Sequence, residues 1–400
     1  MSALASKCFL YLVLILLNLR PMKVLIVCNN AYTRGNGLCS AVLRHVEQLE
    51  KRGVEARIMA SANPNSDGPQ PYYCLKHFKI PFFENIIYSN GFRFATTDRK
   101  LIHTALQWAD VVHLEEAFPL EIVTAKMAQK MGKPCVGTYH LHSENITANL
   151  GLRNNKFLNN IVTQWWRRSC YDFCKIVQCP SESVREHLES CGFKSELRVI
   201  SNGILNTSDP QASVPSTNPL VILCTGRLSN EKSQITLLEA MKLSRHAREI
   251  QLVFAGKGPK KRKYKRIAAG LLKKGVLAYE PQFGFYDQKE LSAIASRAYL
   301  YIHCAWVEVE GLSCLEAIRC GTVPVIAEGP LVATSQFALD GRSTFPVRDS
   351  AALAERIDWW IEHPDERQRM STLYAESVSR YDIRLSTDAI VRMYEDAMAE

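Results

Sequence analysis

From Lys23 onward the chain alternates short apolar runs with longer amphipathic stretches. Val24-Leu-Ile-Val-Cys28 has no polar position, which predicts a strand over 23–28 covered on both faces. It leads through Thr33-Arg-Gly-Asn-Gly37 into a helix expected over 38–52 and stopped by Gly53, and a strand over 54–60 follows. Further strands are expected at 111–113, 134–138, 176–179 and 198–200, with helical periodicity between them. Repeated strand–helix–strand order with fully apolar strands predicts a parallel sheet of Rossmann type.

The second half restarts the same order. A strand at 221–225 is followed by Gly226-Arg-Leu-Ser-Asn-Glu-Lys232 and a helix reaching about 245. A strand at 251–255 ends in Gly256-Lys-Gly258, ahead of a very basic helix, and strands are expected at 278–279, 300–303 and 323–326. The predicted fold class is therefore α/β, with two Rossmann-like domains facing an interdomain cleft and ligands outside the carboxyl ends of the strands. The expected division is an apolar extension at 1–21, an N-terminal domain at 22–201, a linker at 202–219 and a C-terminal domain at 220–375. A final helix, about 382–398 within 376–400, is expected to pack back across the junction.

Four hundred residues suffice for two cores of ordinary size. The net charge of +9 favours anionic partners. The thirteen cysteines are scattered through apolar runs with no paired CxxC units, which fits reduced buried thiols in a cytoplasmic setting better than a zinc site. Cys8–Leu19 is almost wholly apolar but short for a bilayer span. It reads either as an N-terminal membrane anchor or as sequence upstream of a fold that starts at Met22.

The candidate chemistry concentrates in Glu308-Val-Glu-Gly-Leu-Ser-Cys-Leu-Glu316. Glu308 falls on a loop and Glu316 inside a short helix, with Gly311, Leu312 and Ser313 at the helix start. Unpaired N–H groups and the positive end of the macrodipole make such a start a seat for a diphosphate. A carboxylate one turn on can accept from a ribose hydroxyl. Read alone, the segment is also an ordinary loop–helix junction with solvated glutamates. Arg227 and Lys232, just past a strand end, can reach a diphosphate as a planar fork and a point charge.

Gly226-Arg-Leu-Ser-x-Glu-Lys232, Ala255-Gly-Lys-Gly-Pro259, Phe283-Gly-Phe285 and Glu308-x7-Glu316-Ala-x-x-x-Gly321, in this order, resemble the retaining GT-B glycosyltransferases of family 4. Thr138–Thr147 and Ala333–Leu339 resemble a bacterial, diacylglycerol glucosyltransferase-like branch. The resemblance implies that Arg227 and Lys232 stabilise the departing diphosphate, that Glu308 contacts the donor sugar and that Glu316 holds the ribose. Gly226, Gly256, Gly258, Gly311, Leu312 and Ser313 would line the nucleotide sugar. Gly35 and Gly37 correspond to the glycine-rich first loop, and His140 to a histidine over the donor sugar, although a structural histidine is an equal reading. Glu310 departs from the pattern as an extra carboxylate that binds a sugar hydroxyl or faces solvent.

The implied reaction is transfer of a hexose, with retention, from a nucleoside-diphosphate sugar of the UDP type to a lipid or lipid-linked glycan. The sugar nucleotide is a co-substrate; no cofactor, metal or nucleic acid is expected. A GT-B-fold epimerase or an inert scaffold are the competing readings, disfavoured by the intact Arg–Lys–Glu–Glu set. Trp165-Trp-Arg-Arg168 on an expected helix and the run Lys260–Arg266 suit peripheral attachment to an anionic membrane surface at its cytoplasmic face. Buried tryptophans and solvated lysines would explain the same residues without a membrane.

Overall fold

The computed structural model describes residues 20–33, 35–79, 84, 88, 92–148, 155–205 and 215–399. The apolar run at 8–19 and positions 206–214 of the expected linker lie outside them. The chain gathers into two compact units, one made of Met1–His140, Asn160–Gly203 and Ile383–Glu400, the other of Leu141–Asn159 and Ile204–Asp382.

In the first unit, β1 (Lys23–Val27), β2 (Glu55–Ser61), β3 (Tyr73–Leu75), β4 (Val111–Leu114), β5 (Cys135–Thr138), β6 (Ile176–Cys179) and β7 (Glu196–Val199) form one sheet. Its order is β3-β2-β1-β4-β5-β6-β7, and every pairing is parallel. Strand order reverses beside β1, the doubly wound arrangement that opens a crevice at the carboxyl ends. Helix α1 (Gly37–Glu50) starts at Asn36, whose side chain accepts from the Leu38 amide, and it buries Cys39, Val42, His45 and Leu49. The C-terminal helix, Ile383–Ala399, places Ile390, Met393, Tyr394 and Ala397 in the core around Val24, Ile26 and Val111. Its Tyr394 hydroxyl meets His113 Nδ1 at 2.7 Å, and Arg52 reaches Asp388 at 2.5 Å.

Helix α2 (Lys156–Ser169) separates the two adjacent tryptophans, because successive helical residues point about 100° apart. Trp166 is buried with Asn159, Thr163 and Cys170, and Trp165 stands out with Phe157 and Ile161.

In the second unit, β8 (Leu220–Thr225), β9 (Ile250–Ala255), β10 (Gln282–Gly284), β11 (Leu300–His303), β12 (Val323–Glu328) and β13 (Thr344–Pro346) pair in parallel in the order β10-β9-β8-β11-β12-β13. The expected strand at 278–279 is displaced to β10. Phe283 stacks on Phe254 of β9 with ring centroids 4.8 Å apart, and that tertiary contact sets the edge strand. The helix expected to about 245 is shorter: α3 (Ile235–Ala240) gives way to turns. Helices α4 (Lys261–Lys273), α5 (Leu312–Arg319) and α6 (Ser350–Glu362) complete the elements used below. Among the described residues no helix is long and apolar enough to cross a membrane, and every described cysteine is a free thiol.

His45 is buried, and its Nε2 donates to the Asn202 carbonyl at 2.9 Å. Burial lowers its pKa from 6.5 to about 4, only partly offset by Glu115. The unfolded chain then holds the extra proton between those values, so the stabilising contribution is complete above about pH 6.5 and is lost as pH falls towards 4. The shift corresponds to roughly 3 kcal/mol. Urea unfolding at pH 7 and pH 5 should show a shallower pH dependence in His45→Gln than in the wild type. Equal slopes would mean that His45 does not carry this term.

Candidate active site

Two loops at the carboxyl end of the second sheet touch backbone to backbone. The Gly226 amide donates to the Ala255 carbonyl at 3.0 Å, and the Leu228 amide to the Lys257 carbonyl at 2.9 Å. A Cβ on Gly256 would lie 2.0 Å from the Gly226 oxygen, and one on Gly258 would lie 2.4 Å from the Leu228 oxygen. Only glycine permits that approach. These positions therefore have a packing role that fixes where Arg227 and Lys232 leave the chain.

Lys232 Nζ pairs directly with Glu308 Oε2, and His303 Nε2 lies 3.4 Å from the same oxygen. Burial pushes the Glu308 carboxyl up, but Lys232 and His303 outweigh it and hold the group well below the usual carboxylate range. Arg227 Nη1 is 3.8 Å from Glu231 Oε1. Desolvation lowers the pKa of Arg227 against the opposing pull of Glu231 and Glu308, and a guanidinium remains charged regardless. Glu231 is itself buried and takes a 2.6 Å bond from the Ser229 hydroxyl. The Glu308 loop is pinned to the next segment, its amide donating to the Leu331 carbonyl and its carbonyl accepting from the Ala333 amide, both at 2.8 Å.

Gly311 precedes α5 in the left-handed region at φ 92°. A side chain there would strike Thr334 Oγ1 at 2.5 Å. The start of α5 has no side-chain cap and no acidic residue in its first turn; the Cys314 and Leu315 amides bond to the Gly311 carbonyl, which leaves those of Leu312 and Ser313 for an anion. Leu312 is half-buried against the core, and the Ser313 hydroxyl lies 3.1 Å from the Tyr301 hydroxyl, which also meets Thr225 Oγ1 at 2.7 Å. Glu316 and Ser313 line a narrow crevice with Thr225, Gln288 and Ser292. Glu310 is buried, 2 % exposed, so the solvent-facing alternative for it does not hold. Its charge bears on Tyr381, whose pKa burial raises first.

The structure thus gathers Arg227, Lys232, Glu308, Gly311, Ser313 and Glu316 around loops of one unit. Sequence reasoning missed Thr225, Tyr301 and His303, which lie at or near the carboxyl ends of β8 and β11. The available signal was three polar residues at the end of otherwise apolar strands. Among the described residues no group of three or more His, Cys, Asp or Glu is arranged to hold a metal ion.

The first unit holds the remaining candidates. His140 Nε2 meets Glu115 Oε2 at 2.8 Å. Glu115 is buried, yet His113 and His140 bring its pKa down to about 2 against that burial. Asn29 joins two more buried carboxylates, donating from Nδ2 to Glu116 at 3.2 Å and to Glu121 at 2.9 Å. Burial raises both, and the charge of Glu116 raises Glu121 further. Gly35 is left-handed at φ 79°. A Cβ on Gly37 would meet nothing within 4 Å, so the fold itself does not demand glycine there.

Residues 35–205 match the family model described as Glycosyltransferase Family 4, and residues 206–374 match the one described as Glycosyl transferases group 1. This chain belongs to the GT-B glycosyltransferases of family 4. As a family 4 glycosyltransferase it is a hexosyltransferase. It is similar to a phosphatidyl-myo-inositol mannosyltransferase of Mycobacterium leprae, 26 % identical over 94 % of this chain and 96 % of that one. It is also similar to an alpha-monoglucosyldiacylglycerol synthase of Streptococcus pneumoniae, 24 % identical over 77 % of this chain and 71 % of that protein. The crystal structure of Anabaena HepE in complex with UDP and glucose has the same GT-B fold, with a TM-score of 0.72 at 15 % identity over 94 % of this chain and all of that one.

In this family 4 enzyme Gly311→Ala should lose about 1–3 kcal/mol of stability from the left-handed backbone and the Thr334 clash. Denaturant unfolding, read beside nucleotide titration, measures both effects. An unaltered midpoint would mean that the α5 start relaxes without cost.

Proposed function

We propose that the enzyme transfers a hexose, with retention of anomeric configuration, from a nucleoside-diphosphate sugar to a lipid acceptor at a membrane surface. The observation that carries this reading is the Lys232–Glu308 pair, with the uncapped start of α5 following Glu308 in the chain at Gly311 and Arg227 on the same loop as Lys232. Two cations and a set of helix amides suit the charge that develops on a departing diphosphate. Glu308 is held ionised and is positioned for a donor-sugar hydroxyl, and Glu316 for the ribose. The leaving phosphate oxygen takes the acceptor's proton as the new glycosidic bond forms on the same face, so no separate protein base is required. Lipid acceptors are supported by the relatives named for diacylglycerol and phosphatidyl-myo-inositol products.

Attachment to the membrane is assigned to α2. Phe157, Ile161 and Trp165 recur every four residues and are 75 %, 46 % and 49 % exposed, with Lys156 and Arg168 beside them. An apolar stripe rimmed by cations suits the boundary of an anionic leaflet.

Charge-assisted hydrogen bonds contribute roughly 1.5–3 kcal/mol each. Lys232→Ala should therefore weaken nucleotide binding about 10- to 150-fold. The upper end is expected because the partly buried Glu308 carboxylate loses its counterion and then repels the diphosphate. Glu308→Gln should abolish transfer while leaving nucleotide binding nearly intact. Calorimetry with UDP and GDP, and transfer of labelled glucose or mannose from their nucleotides into organic-extractable lipid, read both variants. NMR of the product gives the anomeric configuration, and an inverted product rejects retention. Equal loss of binding and transfer in Glu308→Gln would refute its assignment to the sugar.

Phe157→Ala combined with Trp165→Ala should lower co-sedimentation with phosphatidylglycerol-containing vesicles while transfer to a short-chain, detergent-dispersed acceptor persists. Undiminished vesicle binding would remove α2 from the membrane contact.

A further inference from the structure

A cavity of about 230 Å³ opens on the second unit away from the crevice at Glu316, and the two share no lining residue. Its walls include Ser233 and Thr236 at α3, Lys260 and Lys263 at the start of α4, and Arg348 and Ser350 at the start of α6. Neither lysine has a carboxylate partner among the described residues. The acidic residue on the wall, Glu239, is held by Lys242. Asp349 caps α6 through the Ala351 and Ala352 amides, so that helix start is already satisfied.

Helix α4 is different. It begins at Lys260 with no side-chain cap and no acidic residue in its first turn, and its opening residues are Lys261, Arg262 and Lys263. Cations at the positive end of a helix oppose its macrodipole. A local arrangement that works against folding marks a place where a ligand supplies the missing charge. The cavity adds the other requirements of an anion site: the Ser233 and Thr236 hydroxyls, which share one hydrogen bond at 3.1 Å and leave one donor between them, the Ser350 hydroxyl, and a concave wall. Arg348 is anchored there by stacking on Trp306 at 4.2 Å, and Trp306 Nε1 donates to the Asn230 carbonyl at 3.1 Å.

We propose that this cavity binds a phosphate-bearing headgroup, a phosphate ester on a small polyol, separately from the nucleotide sugar. Its volume suits a glycerol phosphate, and its cations match one or two negative charges. The site is independent of the reading of the donor site, since none of its residues belongs to that machinery.

Full-length protein titrated with glycerol 3-phosphate, with and without excess UDP, tests the inference. The ester should bind one per chain in both conditions, and Lys260→Ala with Lys263→Ala should weaken it about tenfold or more, leaving UDP affinity unchanged. Co-sedimentation with phosphatidylcholine vesicles, with or without phosphatidylglycerol, separates the sources. Competition between the ester and phosphatidylglycerol vesicles assigns a lipid headgroup, whereas ester binding that leaves vesicle binding untouched assigns a soluble phosphate. Displacement of the ester by UDP would place it in the donor site and overturn the proposal. So would unchanged binding in the double variant, or the absence of both ester binding and a preference for phosphatidylglycerol.

Discussion

The second unit is organised around one partly buried ion pair, Lys232 with Glu308. Lys232 comes from the loop after β8 and Glu308 from the loop after β11, and their contact closes the space between those strands. Each charge would be costly to hold there alone, because partial burial removes much of its hydration. Together, and with His303 beside the carboxylate, they are compensated in the absence of substrate. In the proposed reaction an arriving diphosphate exchanges one anionic partner of Lys232 for another. Glu308 is then released to accept from the sugar. The resting pair therefore stores both groups in their ionised forms, close to where each is used.

That pair tolerates little positional error, and the surrounding backbone explains how it is held. The β8 and β9 loops approach so closely that Gly256 and Gly258 cannot carry a Cβ. The Glu308 backbone forms a bridge to Val332, and Thr334 two residues on packs against Gly311. Thus the segment that positions the carboxylate also fixes the start of α5. A change at Thr334 would be felt at the α5 amides without touching any charged group.

The alternation of apolar runs was enough to read the central strands of both Rossmann sheets, because strands covered on two faces leave a signal that loops do not imitate; the short edge strands β3 and β13 were not foreseen. The failure at 278–279 is instructive. Edge strand β10 has three residues, too few for periodicity, and its place is set by Phe283 stacking on Phe254. The linear motifs around Lys232 and Glu308 were legible for the opposite reason: glycines needed for close approach sit at fixed spacing from the charges they position. The supporting groups were not. Thr225 and His303 become neighbours only through the parallel register that sets Leu223 beside Tyr301. Glu115 meets His140 because β4 and β5 are adjacent. The division between Trp165 and Trp166 was not legible, since the buried face carries polar Asn159 and Thr163 while apolar Phe157 and Ile161 share the exposed face with Trp165.

The polar chain Thr225–Tyr301–Ser313 adds the last constraint. It ties the end of β8 and the interior of β11 to the second residue of α5, with Tyr301 wholly buried. A buried hydroxyl must keep its partners or lose their full desolvation cost. Ser313 is consequently held by the core rather than by substrate, and the amides beside it are oriented before any anion arrives. Electrostatic stabilisation of a leaving group is effective when its donors need no reorganisation as charge develops. The same core contacts that stabilise the sheet therefore preorganise the helix start, and the site's chemistry is inseparable from the packing of β8 against β11.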